Sequence, residues 1–192
     1  GDVYKRQNYN PRRAKELLRL FLEFHPDIRF HLEIHPALLS EELKEELSLL
    51  PKGLLHLEAG IQSLREPVLE KSRRMGKLSD ALDGLRFLCA LPNMETHADL
   101  IAGLPLYHLH EIFEDVRTLA GYAAGEIQLE SLKLLPGTEM RRRAEELGIK
   151  YSPLPPYEVL QTHEISVSEL QTARQLSRLL DGFYNTPAWQ AL

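Results

Sequence analysis

Cysteine is nearly absent from this chain, which also lacks long apolar runs and an excess of positive charge. Each of these features excludes a class of protein. A single cysteine, Cys89, excludes an intrachain disulfide and a metal cluster held by three cysteines of the chain. No apolar run reaches the roughly 18 residues that a membrane-spanning helix needs. An excess of positive charge is also missing, because the formal net charge is -5. We therefore expect a cytoplasmic protein with neither nucleic acid nor a membrane as partner.

The opening residues differ from the rest of the chain. Residues 1–7 read GDVYKRQ and resemble translated sequencing-adaptor sequence, and the first residue is not methionine. We expect residues 1–7 to be non-native and the chain to be truncated at its N-terminus.

The remaining sequence has enough apolar residues for a folded core and alternates between strand and helix signals. Hydrophobic residues make up 43% of the chain and charged residues 27%. The predicted strands are 29–35, 54–61, 97–102 and 126–134, and the predicted helices are 12–24, 40–50, 66–72, 79–90, 109–122 and 137–147. Such βα units predict a parallel sheet. A closed eight-stranded barrel takes about 250 residues, so we expect a partial barrel or an open doubly wound sheet.

The tail has a different composition. Pro153, Pro155 and Pro156 form a proline-rich boundary near residue 150. Two helices are expected after it, the second over residues 166–180, followed by an irregular aromatic end.

Each predicted strand has one apolar face and one face rich in histidine, carboxylate or amide groups. Burying several unpaired charges would cost several kcal/mol each, so the polar faces should surround water or a polar ligand. An antiparallel sheet with one solvent-exposed face would show the same alternation of polar and apolar residues, but the helical connections argue against it. Parallel barrels bind ligands at the C-terminal ends of their strands. The side chains expected there are Glu33, Gln62, Asp99 and Glu130.

Four turns follow these strands in order, and together they resemble the turns of the radical S-adenosylmethionine (SAM) superfamily. The turns are Glu33-Ile34-His35-Pro36, Gly60-Ile61-Gln62-Ser63, Asp99-Leu100-Ile101-Ala102-Gly103-Leu104-Pro105 and Leu134-Leu135-Pro136-Gly137-Thr138. The resemblance covers residues 8–147 and implies the C-terminal part of a partial (β/α)6 TIM-like parallel α/β barrel, followed by a small helical C-terminal extension. Residues 148–192 resemble the uncharacterised C-terminal domain of a subgroup with an N-terminal cobalamin-binding domain.

The resemblance also implies roles around bound SAM. Glu33 and Asp99 would face its ribose or amino group, and Gln62 would bind the ribose hydroxyls. Arg74, or its neighbour Arg73, would pair with the methionyl carboxylate, which suits a planar guanidinium. The residues that would pack on adenine are Ile101, Ala102 and Leu132. Without a ligand, the arginines would be solvated charges at a helix end and Gln62 would stabilise its own turn.

The sequence departs from the family at the cluster motif. The family's C-x3-C-x2-C motif has no counterpart here, and by the resemblance it would lie upstream of residue 8. The complete protein would use a [4Fe-4S] cluster, reduced by an external donor such as flavodoxin or ferredoxin, to cleave SAM and form a 5′-deoxyadenosyl radical. A cobalamin domain is implied by the subgroup alone. This chain by itself is expected to be inactive, and its substrate does not follow from its fold.

Two other functions fit parts of the sequence. His31, His56 and His97 recur two residues before an acid, and with Asp99 they would suit the zinc site of a barrel hydrolase. A non-catalytic binding module is the second alternative, with the proline-rich boundary and the tail as a docking surface.

Overall fold

The computed structural model describes residue 8 and residues 10–25, 27–74, 76–122 and 124–186. The suspected adaptor residues 1–7 and the last part of the aromatic end, 187–192, lie outside the described residues. The strands of the main sheet are β1 (Phe30–Ile34), β2 (Leu55–Gln62), β3 (Glu95–Ala102) and β4 (Glu126–Ser131). The helices before the tail are α1 (Pro11–Leu22), α2 (Glu41–Leu49), α3 (Glu66–Lys71), α4 (Leu78–Ala90), α5 (Leu109–Gly121) and α6 (Glu139–Arg142).

The four strands form one parallel sheet in the order β1-β2-β3-β4. Each strand therefore lies beside the one before it, whereas a doubly wound sheet reverses its order at a switch point. The predicted α/β fold with a parallel barrel-like sheet is confirmed. Over the described residues the sheet is open, and β1 and β4 are its edges.

The core lies between the sheet and the helices that connect its strands. In β2 the apolar residues Leu55, Leu57, Ala59 and Ile61 are buried, and the residues between them are half-buried. α4 packs closely on a 3-10 turn at Pro36–Leu38, where a Cβ on Gly84 would lie 2.1 Å from the Pro36 carbonyl oxygen. Glycine is thus required inside α4, although it weakens a helix. Within the described part of the chain, every helix falls short of the length and apolarity needed to cross a bilayer.

The structure corrects two predicted boundaries near the end of the sheet. The strand expected to reach Leu134 ends at Ser131, and the helix expected to reach Leu147 is α-helical only over Glu139–Arg142. Turns occupy most of the following residues up to Gly148. The reason is that residues 132–134 pair with the tail: Val159 N donates to Leu132 O and Leu134 N donates to Tyr157 O, both at 2.8 Å.

The first predicted tail helix is wrong. Residues Lys150–Tyr151 (β5) and Val159–Gln161 (β6) form a short antiparallel pair instead. The second predicted helix is confirmed as α7 (Val167–Leu179), and a π-helical turn over Leu180–Tyr184 follows it. The C-terminal extension is therefore partly β-structure.

The tail packs against the last strand of the main sheet. Tyr184 Oη donates to Ala124 O at 2.9 Å. Asn185 bonds both backbone groups of Ile127, accepting from its N–H at 2.9 Å and donating to its carbonyl at 3.0 Å. These contacts cover part of the edge that β4 would otherwise expose.

Candidate functional site

Polar side chains from three neighbouring strands meet on the sheet face opposite the core. The register places Glu33 beside Glu58 and Glu58 beside His97, and it places Gly60 beside Asp99 one step nearer the C-terminal ends. The His97 and Asp99 side chains are only 2% and 14% exposed. The predicted convergence of carboxylates and imidazoles on this face is therefore present.

The three histidines contact one another: His97 lies level with Glu58, and His31 and His56 lie one inward-facing position deeper. His31 Nε2 lies 3.1 Å from Glu58 Oε2, and His56 Nε2 lies 2.6 Å from His97 Nδ1. Arg29 Nη2 approaches His56 Nδ1 at 2.9 Å and also pairs with Glu95. Burial, and after it the neighbouring His56, lower the pKa of His97 to about 4, so His97 is neutral at pH 7.

Glu58 and Asp99 share one proton. Burial raises the pKa of Asp99 to about 9, and the hydrogen bond with Glu58 and the charges of Glu58, Glu33 and Glu130 act in the same direction. Burial also raises the pKa of Glu58, but hydrogen bonds from Asp99 and His31 outweigh it and the net pKa is lowered. No side chain or backbone group of the described residues hydrogen-bonds Asp99 Oδ1. Asp99 thus retains acceptor capacity.

Arg74 reaches the same face from the turn after α3. A Cβ built on Gly60 would lie 3.4 Å from Arg74 Nη2, and that nitrogen donates to the Gly60 carbonyl. Nη1 is buried and has no hydrogen-bond partner within the part of the chain that the structure describes. Arg73 is exposed instead and pairs with Glu139. Of the two arginines, Arg74 is therefore the one placed beside the strands' C-terminal ends.

The other predicted residues lie at the same end of the sheet. Gln62 has φ 71° at an irregularity in the β2–β3 register, which ends the strand. Ile101 is half-buried and Ala102 is buried, and Leu132 N donates to Ala102 O at 2.9 Å. Gly103 has φ +91°, and a Cβ there would come within 3.6 Å of Leu132 Cβ. This glycine lets the β3 turn pack closely on Leu132.

The sequence interpretation missed Asp115, a buried residue of α5. Its carboxylate is 1% exposed and accepts from Tyr107 Oη at 2.6 Å, Leu64 N at 2.8 Å, Arg65 Nε at 2.9 Å and Ser63 Oγ at 3.3 Å. Burial, and after it the Asp115 charge, raise the pKa of Tyr107, so the phenol stays protonated.

Asp115 therefore joins the turn after β2 to the turn after β3. Gln62 is the last residue of β2, directly before the first turn, and Gly103 opens the second. One signal could have revealed it: Asp115 follows Ile112 by three residues and precedes Leu119 by four, so it lies on the apolar face of α5. An acid on an apolar helix face needs a buried partner.

Comparisons with known proteins identify solved structures with a similar fold. A family model described as "Protein of unknown function (DUF4080)" matches residues 145–191. No curated protein matches the chain. Among solved structures, the radical SAM methyltransferase TsrM from Kitasatospora setae, with cobalamin and a [4Fe-4S] cluster bound, is 19% identical with a TM-score of 0.61 over 89% of this chain and 36% of its own.

Two further solved structures are similar. TsrM with tryptophan and a SAM analogue bound is 20% identical, with a TM-score of 0.59 over 77% of this chain and 30% of that one. The radical SAM enzyme coproporphyrinogen III oxidase (HemN) from Escherichia coli is 16% identical, with a TM-score of 0.57 over 76% and 39%. The chain thus spans between 30% and 39% of the length of these proteins. The predicted radical SAM resemblance is confirmed at the level of the fold, because at these identities the likeness concerns the fold alone.

Proposed function

We propose that this chain is the C-terminal part of a radical SAM enzyme and supplies part of its SAM-binding site. The observation that carries the proposal is the guanidinium of Arg74, whose buried Nη1 has no described partner, at the same end of the polar face as Asp99. An unpaired buried polar group costs about 1–3 kcal/mol. A ligand with a carboxylate and an ammonium group would satisfy both residues, and the methionyl part of SAM carries both.

The remaining residues would hold the nucleoside. Glu33 and Asp99 would face the ribose or the amino group, and Gln62 would hydrogen-bond the ribose hydroxyls. The side chains that would pack on adenine are Ile101, Ala102 and Leu132. The positive φ of Gly103 supports this arrangement, because it brings the β3 turn and Leu132 together into one wall.

The chain cannot hold the iron–sulfur cluster. Cys89 is the single cysteine, and it lies in α4, where burial raises the pKa of its thiol to about 11. A cluster needs several thiolates. In the proposal, the ligands of the [4Fe-4S] cluster come from another part of a longer protein, and that cluster, when bound, supplies the electron for SAM cleavage. The electron comes from a donor such as flavodoxin or ferredoxin.

We include cobalamin in the proposal because of two similarities, one of the tail and one of the fold. The tail resembles the C-terminal domain of cobalamin-binding members, and TsrM, which is similar in fold, binds cobalamin. The proposed reaction class is radical chemistry started from SAM on a small-molecule substrate, and the proposed location is the cytoplasm.

Titration calorimetry with SAM tests the proposal on the purified chain. We expect Arg74→Ala to weaken SAM binding about 10- to 100-fold, because it removes the charge-assisted bonds to the carboxylate. Arg73→Ala is the matched control and should bind as the wild type does. A wild-type chain that binds no SAM would favour the binding-module alternative, and equal losses in both variants would remove Arg74 from the site.

A further inference from the structure

We propose that His31, Glu58 and His97 bind a zinc ion on the polar face of the sheet, beside the proposed SAM site. Each offers one ligand atom, and these atoms lie within 4.8 Å of one another. Two imidazoles and one carboxylate form a common donor set for zinc. None of its ligands is among the residues proposed to bind SAM, although Glu58 lies beside Glu33 and borders Asp99.

The distances fit one ion. His31 Nε2 is 3.1 Å and His97 Nε2 is 3.8 Å from Glu58 Oε2. Tetrahedral zinc with bonds of about 2.0–2.1 Å places its ligand atoms about 3.3 Å apart. The third pair of ligand atoms, on His31 and His97, lies within 4.8 Å, so a movement of the exposed His31 side chain would have to close that gap to complete the coordination. The site takes side chains from three adjacent strands, which hold their Cα atoms in a fixed register.

His97 provides the second, independent observation. Its side chain is only 2% exposed, and Nε2 has no hydrogen-bond partner among the described residues. This nitrogen is directed towards Glu58 and towards Asp99 Oδ1, which is 3.4 Å away. A buried polar atom without a partner is costly, and a metal ion would remove that cost. Asp99 lies where it would contact water in the fourth zinc position.

His56 would orient the zinc ligand His97. When Nε2 of His97 binds zinc, Nδ1 carries the proton and donates to His56 Nε2, now 2.6 Å away. The remaining proton of His56 then lies on Nδ1, where Glu95 Oε2 at 3.6 Å would accept it. Arg29 Nη2, which lies 2.9 Å from this nitrogen, would then keep only its bond to Glu95. A second group, formed by His56, His97 and Glu126, fits one ion less well, because the facing nitrogens of His56 and His97 are too close to be two ligands.

Zinc binding to the chelator-treated chain tests the proposal. We expect one zinc per chain by competition with a chromophoric chelator, confirmed by metal analysis. His31→Ala should weaken binding by at least about 100-fold, and His56→Ala by about 10- to 100-fold. His31 is 55% exposed, so its truncation should leave the fold intact, which circular dichroism checks. Glu58→Gln is the second ligand variant and should also lose zinc.

Two controls separate this site from other possibilities. His110→Ala alters an exposed histidine pair with His108 and should bind zinc as the wild type does. Arg74→Ala should keep its zinc, and His31→Ala should keep its SAM affinity, so either proposal can fail alone. Less than stoichiometric zinc, unchanged affinity in both His31→Ala and Glu58→Gln, or loss of zinc on His110→Ala would overturn the zinc site.

Discussion

Two buried aspartates, Asp115 and Asp99, differ in how completely they are paired. Asp115 receives hydrogen bonds from four residues, one of them a charged arginine. Asp99 shares one proton with Glu58, and its Oδ1 has no donor among the described residues. The difference teaches that burial alone does not mark a binding residue. A fully paired carboxylate stabilises the fold, whereas an incompletely paired one can still accept a ligand.

The largest effect is expected for Asp115→Ala. The change leaves the Tyr107 hydroxyl, the Leu64 amide and the Arg65 guanidinium without their buried acceptor. We expect the free energy of unfolding to fall by about 3–5 kcal/mol, measured by urea denaturation. We call the hydrogen bonds of Asp115 with Ser63, Leu64, Arg65 and Tyr107 the Asp115 junction. A loss below about 1 kcal/mol would show that this junction is dispensable and would end the contrast with Asp99.

Asp99→Asn should raise the free energy of unfolding in ligand-free, chelator-treated protein, whereas Asp115→Ala lowers it. The pKa of Asp99 is raised to about 9, whereas an unfolded aspartate ionises near pH 4. Between these pH values the unfolded chain loses a proton that the folded chain keeps, so stability falls as pH rises. Asparagine donates to Glu58 without ionising. We expect the stability of the variant relative to wild type to rise by several kcal/mol between pH 4 and pH 8. Denaturation curves with the same pH dependence in both proteins would contradict this.

Gln62 and Ser63 are adjacent in the chain but belong to different regions, the proposed SAM site and the buried hydrogen bonds of Asp115. Ser63 donates to Asp115, whereas Gln62 is proposed to bind the SAM ribose. We expect Gln62→Ala to weaken SAM binding by roughly 1–3 kcal/mol in calorimetry, with little change in the urea midpoint. Ser63→Ala is the matched control and should lower stability more than SAM affinity. Unchanged affinity in Gln62→Ala would remove Gln62 from the site.

The smallest effect is expected for Glu114→Ala. Glu114 also pairs with Arg65, but its side chain is 53% exposed. Exposed ion pairs contribute about 0–1 kcal/mol, so the free energy of unfolding should change by no more than that. A loss as large as that of Asp115→Ala would mean that charge, and not burial with full pairing, explains the Asp115 junction.

Much of the fold could be predicted because its signals are local. Ser40 caps α2 as expected, accepting from Leu43 N at 3.3 Å, and the alternating residues of β2 separate into a buried and a half-buried face. The tail pair β5–β6 could not be predicted in this way. Both strands are only two or three residues long, and their surroundings include residues 132–134, which pair with residues 157–159 from a distant part of the chain.

The candidate site was partly predictable for the same reason. Parallel strands end at one edge, so Glu33 and Asp99 were expected to approach each other, and the charge of Glu33 does act on Asp99. The choice between Arg73 and Arg74 was not predictable, because adjacent arginines have the same local signals. The structure places Arg74 against Gly60 and Arg73 against Glu139.

The sequence by itself determined the order of the four main strands and of the helices between them, the polar and apolar faces, and the lack of cysteines for a cluster. These properties follow from periodicity and composition, which each segment carries alone. Only the tertiary structure decided that Asp115 pairs fully, that Asp99 shares its proton with Glu58, and that His31, Glu58 and His97 meet. Those outcomes depend on contacts between residues far apart in the chain, because packing sets which buried polar groups find partners.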